Sequence, residues 1–569
     1  MHDLVITGGL VVDGSGAPRR PAEIAIDGGI VTEIGKSVGV GRRTIAADGR
    51  IVAPGFIDVH THLDVQGFWD PLLKPSPLHG VTTALGGNCG FTVAPLEAEA
   101  ADYLMRMLSK VEGMPLESLQ AGVPWDWRST AEFLDRLDGR LALNTGFSVG
   151  HSAIRRVVMG DEARRRAATT EEVAKQADLL RAGLAAGAIG FSSTWSIAHN
   201  DAESRPVPSR WASGDELIAL AAVCGQFPGT SLEFLPGPGP WDEETQRVMV
   251  AMTAAAARPL NWNVITPTEG SMPEWEQKLA LSDRARAAGG KIVGLVLPRS
   301  PAARFSFLSG MVLDSLPGWD SVLGLAYDKR LEALRDPACR ASLEEGARQP
   351  GPRQHFSDWG GMKIVEAFTP QTQRFEGQVL ADIARAGSKS AFDALLDIVV
   401  ADDLKTSFAF ARADDSDADW QVRATVWQDP RTVVGASDAG AHLDMISTFS
   451  FTTDLLGLGV RKHGLLTTEA AVRQLTSVPA ALYGLKGRGS ISEGCHADIV
   501  VFDETTVESG PVTTRFDLPA GAGRLYAEAI GIDAVLVNGI PIADGGEMTG
   551  TTPGTLLRSG RDTTTPILS

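Results

Sequence analysis

The chain has 569 residues, 43% hydrophobic and 21% charged, an ordinary folded composition long enough for more than one domain. Its 52 basic and 70 acidic side chains leave a formal charge of −18, which argues against nucleic acid and anionic membrane surfaces as partners. The four cysteines form no C-x-x-C pair, no run approaches the ~20 apolar residues of a membrane span, and residues 1–30 lack a signal-peptide pattern, so a cytoplasmic location is expected.

The N-terminus reads as short strands. "DLVITGGLVVDG" is an apolar, β-branched run, and "AEIAIDGGIVTEIG" carries Asp27-Gly28-Gly29 between two apolar segments, a hairpin signal. The C-terminus returns to this style in "HADIVVFDETTV" and "AEAIGIDAVLVNGIPIADGG", with Asn538-Gly539 as a second tight turn. One small β-sandwich domain built from 1–54 and 485–569 is therefore expected.

Between the ends, apolar runs such as "VTTALGG", "TSLEFL", "KIVGLVL" and "TVVGASD" alternate with helical patterns such as "TTEEVAKQADLLRAGLAAG" and "SGDELIALAAVCG". The helical segments open with cap-type residues followed by acidic ones. Strand–helix alternation with buried-looking strands predicts an α/β chain, a parallel (β/α)8 barrel over 55–484. The rhythm breaks at about 300–400, read as an insertion near the barrel mouth.

"PGFIDVHTHLD" places His60 and His62 one residue apart at the end of an apolar run. On a strand, side chains two apart share a face, so the two imidazoles face one point, as half a metal site would require. "PGFIDVHTH", later "ASDAGAH" and then "TSVPAALYGLKGRGSISEGCHADIVVFD" resemble the amidohydrolase superfamily. "LGGNCGFTVAP", "VGHSAIRRVVMG" and "GAIGFSSTWS" are similar to its D-aminoacylase (N-acyl-D-amino-acid deacylase) branch. The resemblance implies a metal-dependent hydrolase in a barrel beside a small β-domain.

The resemblance implies His60, His62, Cys89 and Asp438 as metal ligands, with Asp438 also the general base that accepts a proton from the attacking water. Taken alone, Cys89 also reads as a small buried hydrophobe, and Asp438 as a turn residue before Ala-Gly. The superfamily adds a histidine on each of the fifth and sixth strands. The corresponding segments here, "TSLEFLPG" and "LNWNVITP", offer Glu233 and Asn263 instead. No lysine follows "GAIGFSS" to bridge two metals. Three readings stay open: Glu233 replaces an imidazole in an oxygen-richer site; a single metal rests on His60, His62 and Asp438 with Cys89; or the site has degenerated. Zinc is the first expectation, as one or two ions, with manganese or iron as alternatives.

His151 reads as a catalytic aid to the carbonyl oxygen or as a structural histidine, and His199 as a pocket-rim residue or part of a solvated loop. His442 follows Asp438 by four residues and is expected to line the site. The branch's substrate-holding lysine and arginine are absent from "NVITP" and "AGAHLDM", and a buried substrate carboxylate without a cation is costly. Tryptophans after strand ends, Trp195 and Trp262 among them, suit a bulky apolar or aromatic substrate, or else pack helices. The expected function is hydrolysis of an amide in a bulky N-acyl small molecule. Ester or lactone hydrolysis, a lyase or isomerase step, and a non-catalytic barrel are the alternatives. A homo-oligomer is compatible with this reading.

Overall fold

The computed structural model describes residues 1–351, 354–411 and 415–568. Residues 352–353 of the expected insertion lie outside the described residues.

The two chain ends meet in one nine-stranded sheet. The C-terminal strand Ile499–Phe502 pairs antiparallel with the N-terminal strand Ile51–Pro54, which itself runs parallel to His2–Val11. Alternation along these strands buries Leu4, Ile6, Ile24, Ile26, Val52 and Ile499 together. The strands Arg20–Asp27 and Ile30–Gly35 are joined through Gly28 and Gly29, both at positive φ. Asn538 and Gly539, at φ 49° and 75°, join Ile532–Val537 to Ile540–Asp544. Two successive positive-φ residues match the right-handed twist of the flanking strands, which is why Gly and Asn occupy these turns.

Between the ends the chain is α/β. A three-stranded sheet holds Phe56–Asp58, Val81–Gly86 and Asn144–Phe147. A six-stranded one holds Val149–Gly150, Gly190–Thr194, Ser231–Leu235, Pro259–Ile265, Lys291–Val296 and Thr432–Val434. Every neighbouring pair is parallel. Asn144–Phe147 leads directly into Val149–Gly150, and a parallel bridge between Thr61 and Ala439 links the segments after the first and last strands. The pairing therefore returns to where it began. Strands such as Val81–Gly86 and Gly190–Thr194 are buried throughout, as parallel strands covered by helices must be. The helix Thr170–Ala185 opens with a reciprocal box, in which the Thr169 hydroxyl accepts from the Glu172 N–H and the Glu172 carboxylate from the Thr169 N–H. Both orphan donors are thereby satisfied. No helix among the described residues is long and apolar enough to cross a membrane.

Two features frame the ends of these strands. Between Lys291–Val296 and Thr432–Val434 the chain builds a second core from Phe305, Phe307, Trp319, Trp359, Leu395 and Phe408. This unit docks on the segment past the last parallel strand, where Arg304 N donates to Met445 O (2.8 Å) and Ser306 Oγ to Asp444 Oδ2 (3.1 Å). At the opposite ends of the strands, residues 553–565 depart from the expected boundary. They leave the terminal sheet and bond to strand beginnings: Thr145 N donates to Thr555 O (3.0 Å), Leu557 N to Thr145 O (2.7 Å) and Thr563 Oγ1 to Gly229 O (2.7 Å). Buried backbone groups there need partners, and Leu556 and Leu557 gain burial by supplying them.

Candidate metal centre

His60 and His62 follow the strand Phe56–Asp58, and Asp438 follows Thr432–Val434, so the Thr61–Ala439 bridge brings them together. Nε2 of His60 lies 3.2 Å from Oδ1 of Asp438 and 3.5 Å from Sγ of Cys89. Nε2 of His62 lies 3.7 Å from the same Asp438 oxygen and 3.5 Å from Oε2 of Glu112. Donor atoms of His60, His62 and Cys89 all fall within 4.8 Å of one another. Tetrahedral ligands on a first-row divalent ion stand roughly 3.3–3.7 Å apart, so these side chains fit a metal.

The charges argue the same way. His60, His62, Cys89, Glu112 and Glu233 are all buried. Among the described residues the ion pairs of Asp438 and Glu112 are with histidines only. Burial opposes charge on His62, but Glu112 and Asp438 outweigh it and raise its pKa to about 9. Burial also opposes ionisation of Asp438, and the hydrogen bonds from His60 and His62 hold it far below the usual carboxylate range. Burial pushes Glu233 up to about 8 despite the Cys89 amide, and lifts the Cys89 thiol with help from the nearby Glu233. Imidazoles are the only charge partners that Asp438 and Glu112 have among the described residues, and a divalent cation held by the neutral imidazoles would satisfy the same acids.

Local backbone holds these groups in place. Cys89, Asp438 and His442 adopt left-handed φ of 55°, 52° and 49°, a conformation that costs non-glycine residues about 1 kcal/mol or more and gathers at functional sites. Cys89 N donates to Oε2 of Glu233 (2.8 Å), tying its loop to the strand Ser231–Leu235, while Oε1 of Glu233 stays buried without a partner. Asn263, on Pro259–Ile265, brings Nδ2 within 3.4 Å of His60 Nε2.

The other expected residues divide. His442 comes to the cluster, its Nε2 4.0 Å from Glu112 Oε2. His199 packs on Phe91 and bonds Thr194 Oγ1 through Nδ1 (3.0 Å). Burial first, then the nearby His442 and His62, lower its pKa to about 3, so it faces the same space. Trp195 stands edge-on to Phe234 with its indole N–H buried and unpartnered. His151 is not brought to the cluster. Its Nδ1 meets Ser193 Oγ (2.8 Å) and its Nε2 meets Glu216 (3.1 Å) and Gln176 (3.3 Å). Trp262 is not brought there either. It is 1% exposed, between Trp241 and Trp275, because the two-residue period that turns Asn263 toward His60 turns Trp262 toward the helices.

Two residues escaped sequence reasoning. Glu112 reads in sequence as one more acid at the end of an amphipathic helix, Ala101–Val111. Asp58, two residues before His60 on the same strand face, accepts from the Ser437 hydroxyl, which in turn accepts from Ala439 N (2.9 Å). Burial raises Asp58 to about 7. This link pins the first strand to the loop that carries Asp438, and the spacing Asp58-x-His60-x-His62 was its available signal.

Comparison with known proteins follows this geometry. The model of the amidohydrolase family matches residues 43–539. A D-aminoacylase of Alcaligenes xylosoxydans xylosoxydans is 28% identical over 563 residues, 98% of this chain and 97% of that one. A solved D-aminoacylase, described by a binuclear metal centre with one-metal activation and second-metal attenuation, has a TM-score of 0.65 at 25% identity, covering 98% of this chain and 100% of its own. The N-acyl-D-glutamate deacylase of Bordetella bronchiseptica, solved with zinc and a phosphonate mimic of the tetrahedral intermediate, has a TM-score of 0.64 at 26% identity, covering 98% and 99%.

Proposed function

The chain belongs to the amidohydrolase family, and on that premise we propose that it hydrolyses the amide of a bulky, apolar or aromatic N-acyl substrate at the His60–His62–Asp438 cluster. It is a metal-dependent, D-aminoacylase-like hydrolase of carbon–nitrogen bonds other than peptide bonds. One observation carries the reading: the buried Glu112 and the half-buried Asp438 meet two buried imidazoles beside a thiol, with no lysine or arginine paired to either acid among the described residues.

His60, His62, Asp438 and Cys89 would hold a divalent cation, with Glu233 behind Cys89. Such a cation supplies Lewis-acid polarisation of a carbonyl and a lowered pKa for water. Zinc suits the nitrogen and sulfur donors, and manganese or iron the oxygens. Asp438 turns Oδ1 to the imidazoles, which leaves Oδ2 to take the proton of the attacking water and pass it to the departing amine. Asp58, through Ser437, keeps that carboxylate aimed. Trp195, His199 and His442 would line the substrate side. We read the returning strand pairing as a (β/α)8 barrel, beside a β-sandwich from the chain ends.

The test is turnover in heavy-oxygen water. Protein reloaded with zinc, manganese or iron is given N-acyl amides with bulky aromatic or long aliphatic groups, with and without a carboxylate beside the amide. One labelled oxygen in the released acid is the expected result. Turnover without label would replace hydrolysis by a lyase or isomerase step, and no turnover on any of them would overturn the substrate class.

A further inference from the structure

The cluster has two imidazoles where its family resemblance implies more, and Glu233 spends one oxygen on the Cys89 amide. A different carboxylate approaches from the other side. Glu112 ends the helix Ala101–Val111, its N–H donating to Leu108 O (2.9 Å), and it is 2% exposed. Its Oε2 is 3.5 Å from His62 Nε2, and its Oε1 is buried with no partner.

Ordinary structural roles do not account for it. A carboxylate at a helix C-terminus meets the wrong end of the helix dipole. The neighbouring Lys110 pairs with Asp314 of the inserted unit and not with Glu112. Among the described residues its ion-pair partners are His62 and His442 alone. Yet the backbone holds it firmly there. His442 N donates to Glu112 O. Gly113, at φ 59°, packs so tightly under Met311 and His442 that an added Cβ would lie only 3.1 Å from the His442 Cα and would not fit without movement of Met311. Loops from three parts of the chain thus converge to keep one negative charge beside His62.

The separations give the reason. His62 Nε2 faces Glu112 at 3.5 Å and Asp438 at 3.7 Å, and His60 Nε2 faces Asp438 at 3.2 Å and Cys89 at 3.5 Å. His60, His62 and Cys89 share one donor sphere, and Glu112 and Asp438 each reach it at ligand-to-ligand spacing through an imidazole.

We propose that Glu112 is a ligand of the same cation as His60 and His62, a carboxylate delivered by the loop after the second parallel strand in place of an absent imidazole. The proposal rests on the metal-dependent reading above. It makes the donor set richer in oxygen and moves its preference from zinc toward harder divalent ions.

Metal binding, not activity, tests it. The metal-stripped full-length protein, Glu112→Gln and Cys89→Ser are titrated with cobalt(II) and followed by absorption, with thermal melts as a folding control. In the proposal, Glu112→Gln melts like the parent, binds cobalt at least about tenfold more weakly and changes the ligand-field bands. It keeps the thiolate-to-cobalt band that Cys89→Ser removes. Unchanged affinity and spectrum in Glu112→Gln would overturn the assignment. If that variant does not fold, Glu112→Asp decides: it keeps the charge but withdraws the oxygen by one methylene, and wild-type affinity there would overturn it equally. If the parent protein binds neither cobalt, zinc nor manganese, the metal-dependent reading itself fails. If the parent binds and the variants match it, only the role of Glu112 does.

Discussion

Two buried histidine–carboxylate clusters occur in this chain, built from the same residue types and opposite in character. In one, His151 meets Glu216, and Arg155 completes the pair while donating to Arg166 O (2.8 Å). Both ring nitrogens of His151 have partners, and acid and guanidinium cancel. In the other, His60 and His62 meet Asp438 and Glu112, with no guanidinium or ammonium paired to either acid among the described residues. Each cluster leaves buried atoms without partners, Nε of Arg155 and Oε2 of Glu216 in the first and Nδ1 of His60 and Oε1 of Glu112 in the second, so the contrast lies in the charge partners. The difference teaches that residue identity does not mark a reactive site; acids faced by imidazoles alone, where the other cluster has a guanidinium, do. The closed cluster is a brace between the strand Gly190–Thr194 and its helices, and the open one requires something the polypeptide does not supply.

The sharpest way to break this contrast is Asp438→Asn. Removing the proposed base at the open cluster is expected to lower kcat by about 10²–10⁴-fold, whereas His151→Gln leaves it within a few-fold. Steady-state kinetics on the two folded variants decide, and equal losses would erase the distinction. Next in size is Arg155→Met, which strands Glu216 in the closed cluster. Denaturant unfolding should show a loss of about 3–5 kcal/mol, with metal content per chain unaltered.

A third comparison uses pH, because the two clusters carry shifts of opposite sign. Burial resists ionisation of Glu216, but His151 and Arg155 overcome it and lower its pKa to about 2, so its contribution is present above the unfolded value and disappears as pH falls through 2. Glu233 is raised to about 8, so its contribution is present below the unfolded value and is lost as pH rises toward 8. In metal-stripped protein the step from pH 5 to pH 7 lies inside that second window and stability should fall across it, with Asp58, raised to about 7, adding to the fall. Glu233→Gln should make that fall shallower and leave the acid limb unchanged. A parent protein whose stability does not fall over this range would remove the open cluster's electrostatic signature.

Some of this architecture follows from local rules. The hairpin at Gly28-Gly29 and the turn at Asn538-Gly539 are legible because positive φ selects those residues. The HxH pair is legible because a strand repeats every two residues. The same period could have excluded Trp262, since it lies between Asn261, bonded to Tyr483, and Asn263, which reaches His60. His151 was harder to judge, because its partners Gln176, Ser193 and Glu216 come from three other elements.

By itself the sequence determined the α/β alternation and the strand-borne histidines, since each depends on neighbours within a few residues, and it showed the same strand style at both chain ends, whose pairing spans the whole chain. Tertiary structure alone decided which acids of the interior meet imidazoles with no guanidinium or ammonium. Charge compensation is a sum over space: Glu112 matters because His62, Met311 and His442 surround it, and no local pattern in the chain records that meeting.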